Sequence, residues 1–405
     1  MPTYCARRLD HWSPDERSVP RDNRREQACP CAVNIIVFYD SIQTVRLHIL
    51  SAAPHRDPTT SKESAMTKIG IEAVASYLPE KKRYAKDYAY MQHLIGVNDM
   101  APPAEKRVLE DQNAAELLAV SAARKVLDRA GLRPSDIDFL VTDHIGGNLI
   151  IPGLAGHVHR QLGFREEIPA WNLQNCCAGF IDGCHLASSL LRANDEYKRG
   201  MVVVSSAFHT GQWGNDYSDP FCMIAADGAA GAIISRENLK SEFLAYANQT
   251  YGEAYDLIWI RMEPPTDPEL LRRYHLPEGS CKAGAHTPKT GFAEWTDAKG
   301  RYVASKGIKA VLEKAGLRVS DLDIVIPHQP MRAQINIQAE ELERMGVPKS
   351  KIRETFDTYG MIAAADHPTT LEGLMEKGEL KSGSVIAMTT VAGGGHCPTL
   401  LMRWL

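Results

Sequence analysis

Apolar and polar positions run in blocks along this chain, and one block occurs twice. Val126–Val141 (VLDRAGLRPSDIDFLV) returns 185 residues later as Val311–Ile326 (VLEKAGLRVSDLDIVI), with nearly every position identical or chemically similar. Each copy predicts the end of an amphipathic helix, a glycine stop, a capped short turn and a buried strand. The period is too long for a solenoid and predicts two α/β halves of one duplicated fold. Carrying the register forward, Cys177 falls on Ile362, inside the small-residue turn Tyr359–Asp366. Strand Met201–Ser206 answers Ser384–Thr390, and Asp227–Ser235 answers Gly393–Leu401 at a shorter offset. Each half therefore reads as strand, helix, strand, helix, strand, strand, which predicts mixed, largely parallel sheets covered by helices.

Two stretches depart from this rhythm. Residues 1–65 mix eight arginines with several acids, an acid content that argues against a transit peptide, and lack an early apolar core for a secretory signal. Met66 opens what looks like a fresh beginning, so residues 1–65 are expected to lie outside the catalytic fold. The halves are then 66–236 and 292–405. The connecting region 237–291 reads as irregular, with Met262–Pro268 breaking any helix.

Composition narrows the classes. An apolar content of 44%, a charged content of 24% and a net charge of -4 describe a soluble globular protein with no nucleic-acid surface. No uncharged apolar run of membrane-spanning length occurs. Nine cysteines without a regular framework fit reduced thiols in a cytoplasmic protein.

The chemistry centres on Asn172–Phe180 (NLQNCCAGF), where a strand-like approach turns into the helix-like run Ile181–Ala193. Backbone N–H groups at a helix start favour a thiolate, and Ala178 and Gly179 leave room for a substrate. Cys177 therefore reads as a nucleophile carrying an acyl thioester, against the equally ordinary reading of a buried structural cysteine. The strand of the second copy runs on to His328, which a pseudo-dyad brings opposite Cys177 as a base, lowering the thiol's pKa when the imidazolium form is present. Gly393–Gly395 allows close backbone approach, so that Gly394 and the Cys177 N–H read as an oxyanion hole.

Cys177–Phe180, Ala226–Ala229, Pro327–Gln329, Tyr359–Gly360 and Gly393–Gly395 occur in an order that resembles β-ketoacyl-acyl-carrier-protein synthase III of the thiolase superfamily, over about Met66 to Leu405. The resemblance implies an α/β, duplicated thiolase-like fold, five-layer αβαβα with two mixed sheets, and a homodimer. It implies acyl transfer from coenzyme A or an acyl carrier protein, through their phosphopantetheine thioesters, onto Cys177, with His328 as catalytic histidine and no permanently bound cofactor. The acyl-enzyme then condenses with a malonyl-carrier protein. Cys176 falls where the family has a small residue and is assigned a packing role.

Departures from the family pattern redirect the chemistry. Met361 stands where the family places a catalytic asparagine, and a thioether donates no hydrogen bond to an enolate oxygen. His328 is followed by Gln-Pro-Met331, and the coenzyme A-binding arginine motif is not recognisable between Gly96 and Asp111. Asp366 and His367 stand where small or apolar residues are usual; Asp366 reads as lying inside a helix, a buried acid in need of a partner. Two mechanisms follow. In one, His328 and His367 stabilise an enolate for carbon–carbon bond formation in a specialised natural-product or polyketide pathway. In the other, Cys177, His328 and Asp366 pass the acyl group to a hydroxyl or amine, as in acyltransferase offshoots of the family. A non-catalytic subunit of a heteromeric condensing enzyme is a third reading, opposed by retention of Cys177 and His328. His157 with His159, Cys176 with Cys177, and Cys29 with Cys31 lack paired zinc-site spacing. Cys397 invites a thiolase-type second cysteine but sits in His396-Cys397-Pro398 without a flexible glycine setting.

Overall fold

The structure, a computed structural model, describes residues 67–91, 101–147, 149, 151–209, 221–257, 259–261, 284–286 and 292–405. The expected extension 1–65, the Met262–Pro268 break and the Cys29/Cys31 pair lie outside the described residues.

Ala65–Leu405 forms one compact unit. Its first sheet contains β1 (Gly70–Tyr77), β2 (Phe139–Ile145), β3 (Ala170–Leu173), β4 (Arg199–Ser206) and β5 (Gly228–Ser235), in the order β1-β5-β4-β2-β3. The pairs β4–β2 and β2–β3 are parallel, and β1–β5 and β5–β4 antiparallel. The second sheet contains β6 (Ser241–Thr250), β7 (Ile324–Pro327), β8 (Val385–Thr389) and β9 (His396–Trp404), in the order β7-β8-β9-β6. Here β7–β8 is parallel and the other two pairs antiparallel. Ile352 bridges Val325 in parallel at the outer side of β7, marking the place that β3 holds in the first sheet. The two sheets thus share one strand order.

Helices cover both sheets. α1 (Ala114–Ala130) and α2 (Leu154–Leu162) pack outside the first, while α4 (Val303–Ala315) and α5 (Arg332–Met345) pack outside the second. α3 (Gly179–Ala193) and α6 (Asp366–Glu376) fill the space between the sheets. This is the expected five-layer arrangement. Strand alternation supplies it: Met201 and Val203 enter the outer core under α1 and α2, while Val202 and Val204 enter the central core with Phe180, Ile181 and Leu371. Both faces of the strand are buried, so it reads as a continuous apolar run.

The repeated block is repeated structure. α1 ends at Gly131 (φ 66°, ψ 29°) and α4 at Gly316 (φ 66°, ψ 27°). In both, the next leucine's N–H returns to the carbonyl five residues earlier, Leu132 to Leu127 and Leu317 to Leu312. Left-handed backbone at that point is why each copy needs glycine.

Two details of the expected organisation change. The stretch after Glu237 opens with β6, ten regular residues paired along the whole of β9, so the second half draws its first strand from the region read as irregular. The matching turn in the second half is also two residues later than expected. Cys176–Ala178 precedes α3 as Ala363–Ala365 precedes α6, which sets Ala364, not Ile362, against Cys177. Both turns begin with a non-glycine residue in left-handed backbone, Cys176 at φ 55° and Ala363 at φ 48°.

Candidate active site

The two equivalent turns meet. Cys176–Ala178 packs against both Ala363–Ala365 and Gly393–Gly395, so the start of α3, the start of α6 and the last hairpin converge. β2 sets the first turn from below. The Asp143 carboxylate accepts the Asn175 N–H at 2.8 Å, and Asn175 Nδ2 donates to Asp182 Oδ2 at 2.7 Å. A Cβ on Gly179 would fall 2.3 Å from the Asp143 carboxyl carbon, so only glycine lets the helix start close over this acid. Asp143 Oδ2 is buried without a partner, and burial holds the acid's pKa well above the usual carboxylate range.

The histidine arrives on β7. His328 N–H donates to Thr389 O at 2.8 Å, and Gln338 Nε2 donates to His328 O at 3.0 Å. Its Nδ1 lies 2.5 Å from Asp366 Oδ2, with His328 and Asp366 each only 1% exposed. The same carboxylate oxygen accepts the Gln329 N–H at 2.9 Å. Asp366 Oδ1 lies 2.7 Å from His367 Nδ1, whose Nε2 lies 3.1 Å from Thr389 O. Burial alone would raise the Asp366 pKa; the imidazoles of His367 and His328 outweigh it and hold the acid below its ordinary range. Asp366 is the first residue of α6, where the helix dipole also favours an anion. The acid thus has the histidine partner its burial requires, and its bond to Nδ1 leaves His328 Nε2 as the position that takes or gives a proton.

The two sulfurs differ from the expected picture. The Cys177 thiol, and less strongly the backbone N–H groups of Cys177 and Gly393, hold the Cys176 thiol below its ordinary range against the opposing effect of burial. Cys177 is raised well above the ordinary thiol range, first by Cys176 and by burial, then by Asp366 and Asp143. The expectation of a Cys177 thiol lowered by His328 is therefore corrected: the neighbouring sulfur and burial raise it, and two carboxyl groups add to this. The hairpin N–H that acts on the Cys176 sulfur belongs to Gly393, next to the expected Gly394, itself at φ 79°. Both cysteines pack against an apolar cluster that includes Phe208, Met331 and Met361, with Met361 only 3% exposed.

A cavity lies beside the hairpin, lined by Trp295, Pro330, Met331, Gln338, Ala392 and Gly393 among others. Trp295 Nε1 and Gln338 Oε1 are both buried without a partner. One donor and one acceptor thus lie unpartnered on residues that line a largely apolar cavity touching Gly393.

Other singled-out residues stand apart. Cys397 is fully buried, its sulfur contacts Gly395 O, and burial pushes its thiol up to about 12, so it supplies no thiolate. His159 Nε2 lies 2.9 Å from Arg165 O. Among the described residues no group of three or more His, Cys, Asp or Glu side chains is placed to hold a metal ion, and no helix is long and apolar enough to cross a membrane. Sequence reasoning passed over Asp143, although an acid inside the apolar run Phe139–Ile145 is a visible signal, and over Lys106. Lys106 is 1% exposed; its ammonium donates to Cys222 O and Ala225 O, and burial lowers its pKa to about 7.

Residues 312–404 match the family described as 3-oxoacyl-[acyl-carrier-protein (ACP)] synthase III C terminal, and residues 171–252 match 3-oxoacyl-[acyl-carrier-protein (ACP)] synthase III. A β-ketoacyl-[acyl-carrier-protein] synthase III of Desulfitobacterium hafniense is 26% identical over 348 residues, 84% of this chain and 98% of that protein. The Coxiella burnetii protein of the same name is 26% identical over 333 residues, 81% of this chain and 97% of that one. Among solved structures, the synthase III of Aquifex aeolicus superposes with a TM-score of 0.68 at 23% identity, covering 83% of this chain and all of that one. OleA of Xanthomonas campestris superposes at 0.69 with 19% identity, covering 84% and 99%. Fold and matches together define a thiolase-superfamily enzyme of the condensing type. Within that superfamily the chain is similar to the synthase III proteins over most of its length.

Proposed function

We propose that this protein transfers acyl groups from coenzyme A or acyl-carrier-protein thioesters through a covalent acyl-Cys177 intermediate, and that His328 with Asp366 removes a proton from the acceptor. The observation that carries this reading is the 2.5 Å contact between His328 Nδ1 and Asp366 Oδ2, taken with a buried Met361 in the apolar cluster that holds the cysteines. A histidine oriented by a buried carboxylate is a general base. Methionine offers no donor to an enolate oxygen, so stabilising the enolate left by malonyl decarboxylation falls to other groups. An acceptor hydroxyl or amine needs only the base.

Support for the donor comes from the cavity at Gly393. A pantetheine arm is narrow, largely apolar and punctuated by amides, and an amide matches in kind the open Trp295 N–H and Gln338 carbonyl. The acyl chain then faces the apolar cluster around Cys177. The relatives' printed names, carrying acyl carrier protein, support a carrier or coenzyme A donor.

A second reading keeps carbon–carbon bond formation in a specialised pathway. The family match favours it, and His367, 2.7 Å from Asp366, places a second imidazole beside the first. The partner reading is a homodimer: β3 pairs with β2 on one side only among the described strands, and Trp171 on it is 39% exposed. A second copy adding a strand there would cover that edge.

Intact-protein mass measurement after incubation with a panel of acyl donors tests the first half-reaction. A gain of one acyl group, lost in Cys177→Ala, is expected. Offering malonyl-carrier protein or simple alcohols and amines to the acyl-enzyme then separates the two acceptors. A broad panel that leaves the mass unchanged would overturn the reading and favour a non-catalytic subunit.

A further inference from the structure

We propose that His367 is a buried imidazolium that cancels the charge of the Asp366 carboxylate, and that this keeps His328 neutral, with its Nε2 free to take the acceptor's proton. His367 is thereby a positioning residue for the acyl-transfer reading above, and its role rests on that reading for the step it serves.

The contacts of the His367 ring determine where its protons lie. The ring is fully buried, so the protein must satisfy both nitrogens. Its Nε2 lies 3.1 Å from Thr389 O and 3.3 Å from Thr390 Oγ1. A carbonyl oxygen offers only lone pairs, so Nε2 carries a proton. Its Nδ1 lies 2.7 Å from Asp366 Oδ1, and neither atom has an aligned hydrogen-bond partner. Neighbouring residues on a helix do not face each other, which brings the two into contact without alignment. Lone pairs opposed at that distance in a dry site would repel, so one proton lies between them. The acid does not hold it. Asp366 Oδ2 accepts the Gln329 N–H at 2.9 Å and faces His328 Nδ1 at 2.5 Å, and Asp366 opens α6. N–H donors and a helix start favour the carboxylate. The proton is then on His367 Nδ1, and the ring is an imidazolium. Thr389 O also accepts the His328 backbone N–H, so one carbonyl ties both histidines to the end of β8.

The charge on His367 decides what Asp366 does to His328. A buried carboxylate without a counter-charge would hold His328 as an imidazolium, which has no lone pair to receive a proton. Paired with His367, Asp366 keeps its contact with His328 Nδ1 but lends the ring little net charge. The two rings lie 6.2 Å apart, centroid to centroid, so a positive His367 also opposes a second positive charge on His328. In the second half-reaction Nε2 takes the acceptor's proton while the acceptor oxygen or nitrogen attacks the acyl carbonyl carbon. Collapse of the adduct breaks the bond from that carbon to the Cys177 sulfur, and the proton passes from Nε2 to the departing sulfur. A ring beside a compensated carboxylate yields that proton readily, so one arrangement serves both transfers. The other ionisable groups around the pair are the Cys177 thiol, at the turn packed against the start of α6, and Asp143 beneath that turn. Farther off, Glu372 of α6 pairs with Lys125 and Arg129, and Glu72 of β1 with Arg199.

The experiment is nitrogen NMR across pH on the full chain, labelled in its histidine ring nitrogens, for wild type, His367→Asn and His367→Gln, with His328→Asn to assign the His328 signals. In the wild type at neutral pH both His367 nitrogens are expected to be protonated, and His328 to carry its proton on Nδ1 with Nε2 bare. Asparagine at 367 keeps a donor near the place of Nδ1, and glutamine one near the place of Nε2, each without the charge. In both variants His328 is expected to take up its second proton about 1 pH unit or more above the wild type, because Asp366 is no longer compensated. The pH limb of acyl-enzyme turnover with a hydroxyl or amine acceptor should move up with it, and the rate on its acid side should fall about 10-fold. A purely structural loss would lower the plateau or the melting temperature and leave that limb in place. A bare nitrogen on His367 in the wild type at neutral pH would overturn the proposal, as would an unmoved His328 titration in the variants. The spectra need no acyl donor, so a failure of the acyl-transfer reading shows in the turnover assay alone. The wild-type spectrum needs no variant to fold.

Discussion

At the scale of single residues the buried acids behave in opposite ways, and each has a pH signature. Asp143 is buried with one oxygen unpaired, and its pKa in the folded protein is raised. Between the unfolded value of about 3.9 and that raised value the native state binds more protons, so stability falls as pH rises. Asp143→Asn keeps the shape and the acceptor for Asn175 but removes the titration. It is expected to be more stable than wild type at pH 7 by about 1 kcal/mol or more, one pKa unit being worth about 1.4. The gap should close below about pH 4, and melting temperatures across pH check both ends. Asp366 is the reverse case. Its carboxylate is held below the ordinary range by His367 and His328 against burial, so the stability it contributes is present above the unfolded value and lost as pH falls through the depressed one. Asp366→Asn should flatten the acid limb of the stability curve. It should also lower turnover by about 100-fold or more, because the amide no longer orients and compensates the His328 ring. A variant with normal turnover would remove Asp366 from the site. Cys177, His328 and Asp366 were legible as residue types at strand ends and helix starts. Asp143 and the orientation of Cys176 were not, since no sequence pattern says which sulfur a helix start and a distant hairpin will share.

At the scale of elements, the close approach of α3 to β2 is the feature that sets the site. Gly179→Ala puts a methyl group 2.3 Å from the Asp143 carboxyl carbon, where a buried strand and a helix start leave no flexible end to yield. Overpacking of this kind costs about 1–3 kcal/mol, and here it also displaces Cys176 and Cys177, so acylation should fall together with the melting temperature. Gly156 in α2 is the control: it is exposed, and an added Cβ meets nothing within 4 Å. Gly156→Ala should stabilise by about 0.5–1 kcal/mol with acylation unchanged. Equal losses in the two variants would deny Gly179 its special place. The repeated helix–glycine–strand block was legible because its signals are local: an apolar stripe, a left-handed stop, an acid capping a short turn. The register beyond it slipped by two residues because the link from strand to turn differs in length between the halves, and local pattern does not count loop residues. β6 was missed for a related reason: it follows a polar turn in a stretch whose later prolines dominate the reading, and its regularity comes from pairing with β9, the last strand of the chain.

At the scale of the whole molecule, β1 ties the two halves together, and this decides where the fold must begin. The Phe243 N–H donates to Ile69 O at 2.8 Å and the Lys240 N–H to Ile71 O at 2.7 Å, so the start of β1 holds the entry to β6 while its length pairs with β5. A Cβ on Gly70 would fall 1.7 Å from Ser241 O, which shows how closely the two strands cross. Ile69, Ile71 and Val74 then enter the central core beside Phe243 and Trp404, residues of the second sheet. Among the described residues nothing before Ile69 takes part in an apolar cluster. A chain starting at Met66 retains all of these contacts. It is expected to unfold in one transition within about 2 °C of the full chain, less than the 2–4 °C per kcal/mol of a domain this large, and to form the same acyl-enzyme. A chain starting at Ala73 loses Ile69 and Ile71 from the core and the backbone ties to β6 together. Two large buried side chains are worth about 1.5–3 kcal/mol each, a sizeable part of a typical stability of 5–15 kcal/mol, so that chain should fail to reach a cooperative fold. Heat unfolding of the two truncations side by side checks the pair: failure of the Met66 chain would place residues 1–65 within the folding unit, and a stable Ala73 chain would show that the two sheets hold together without β1.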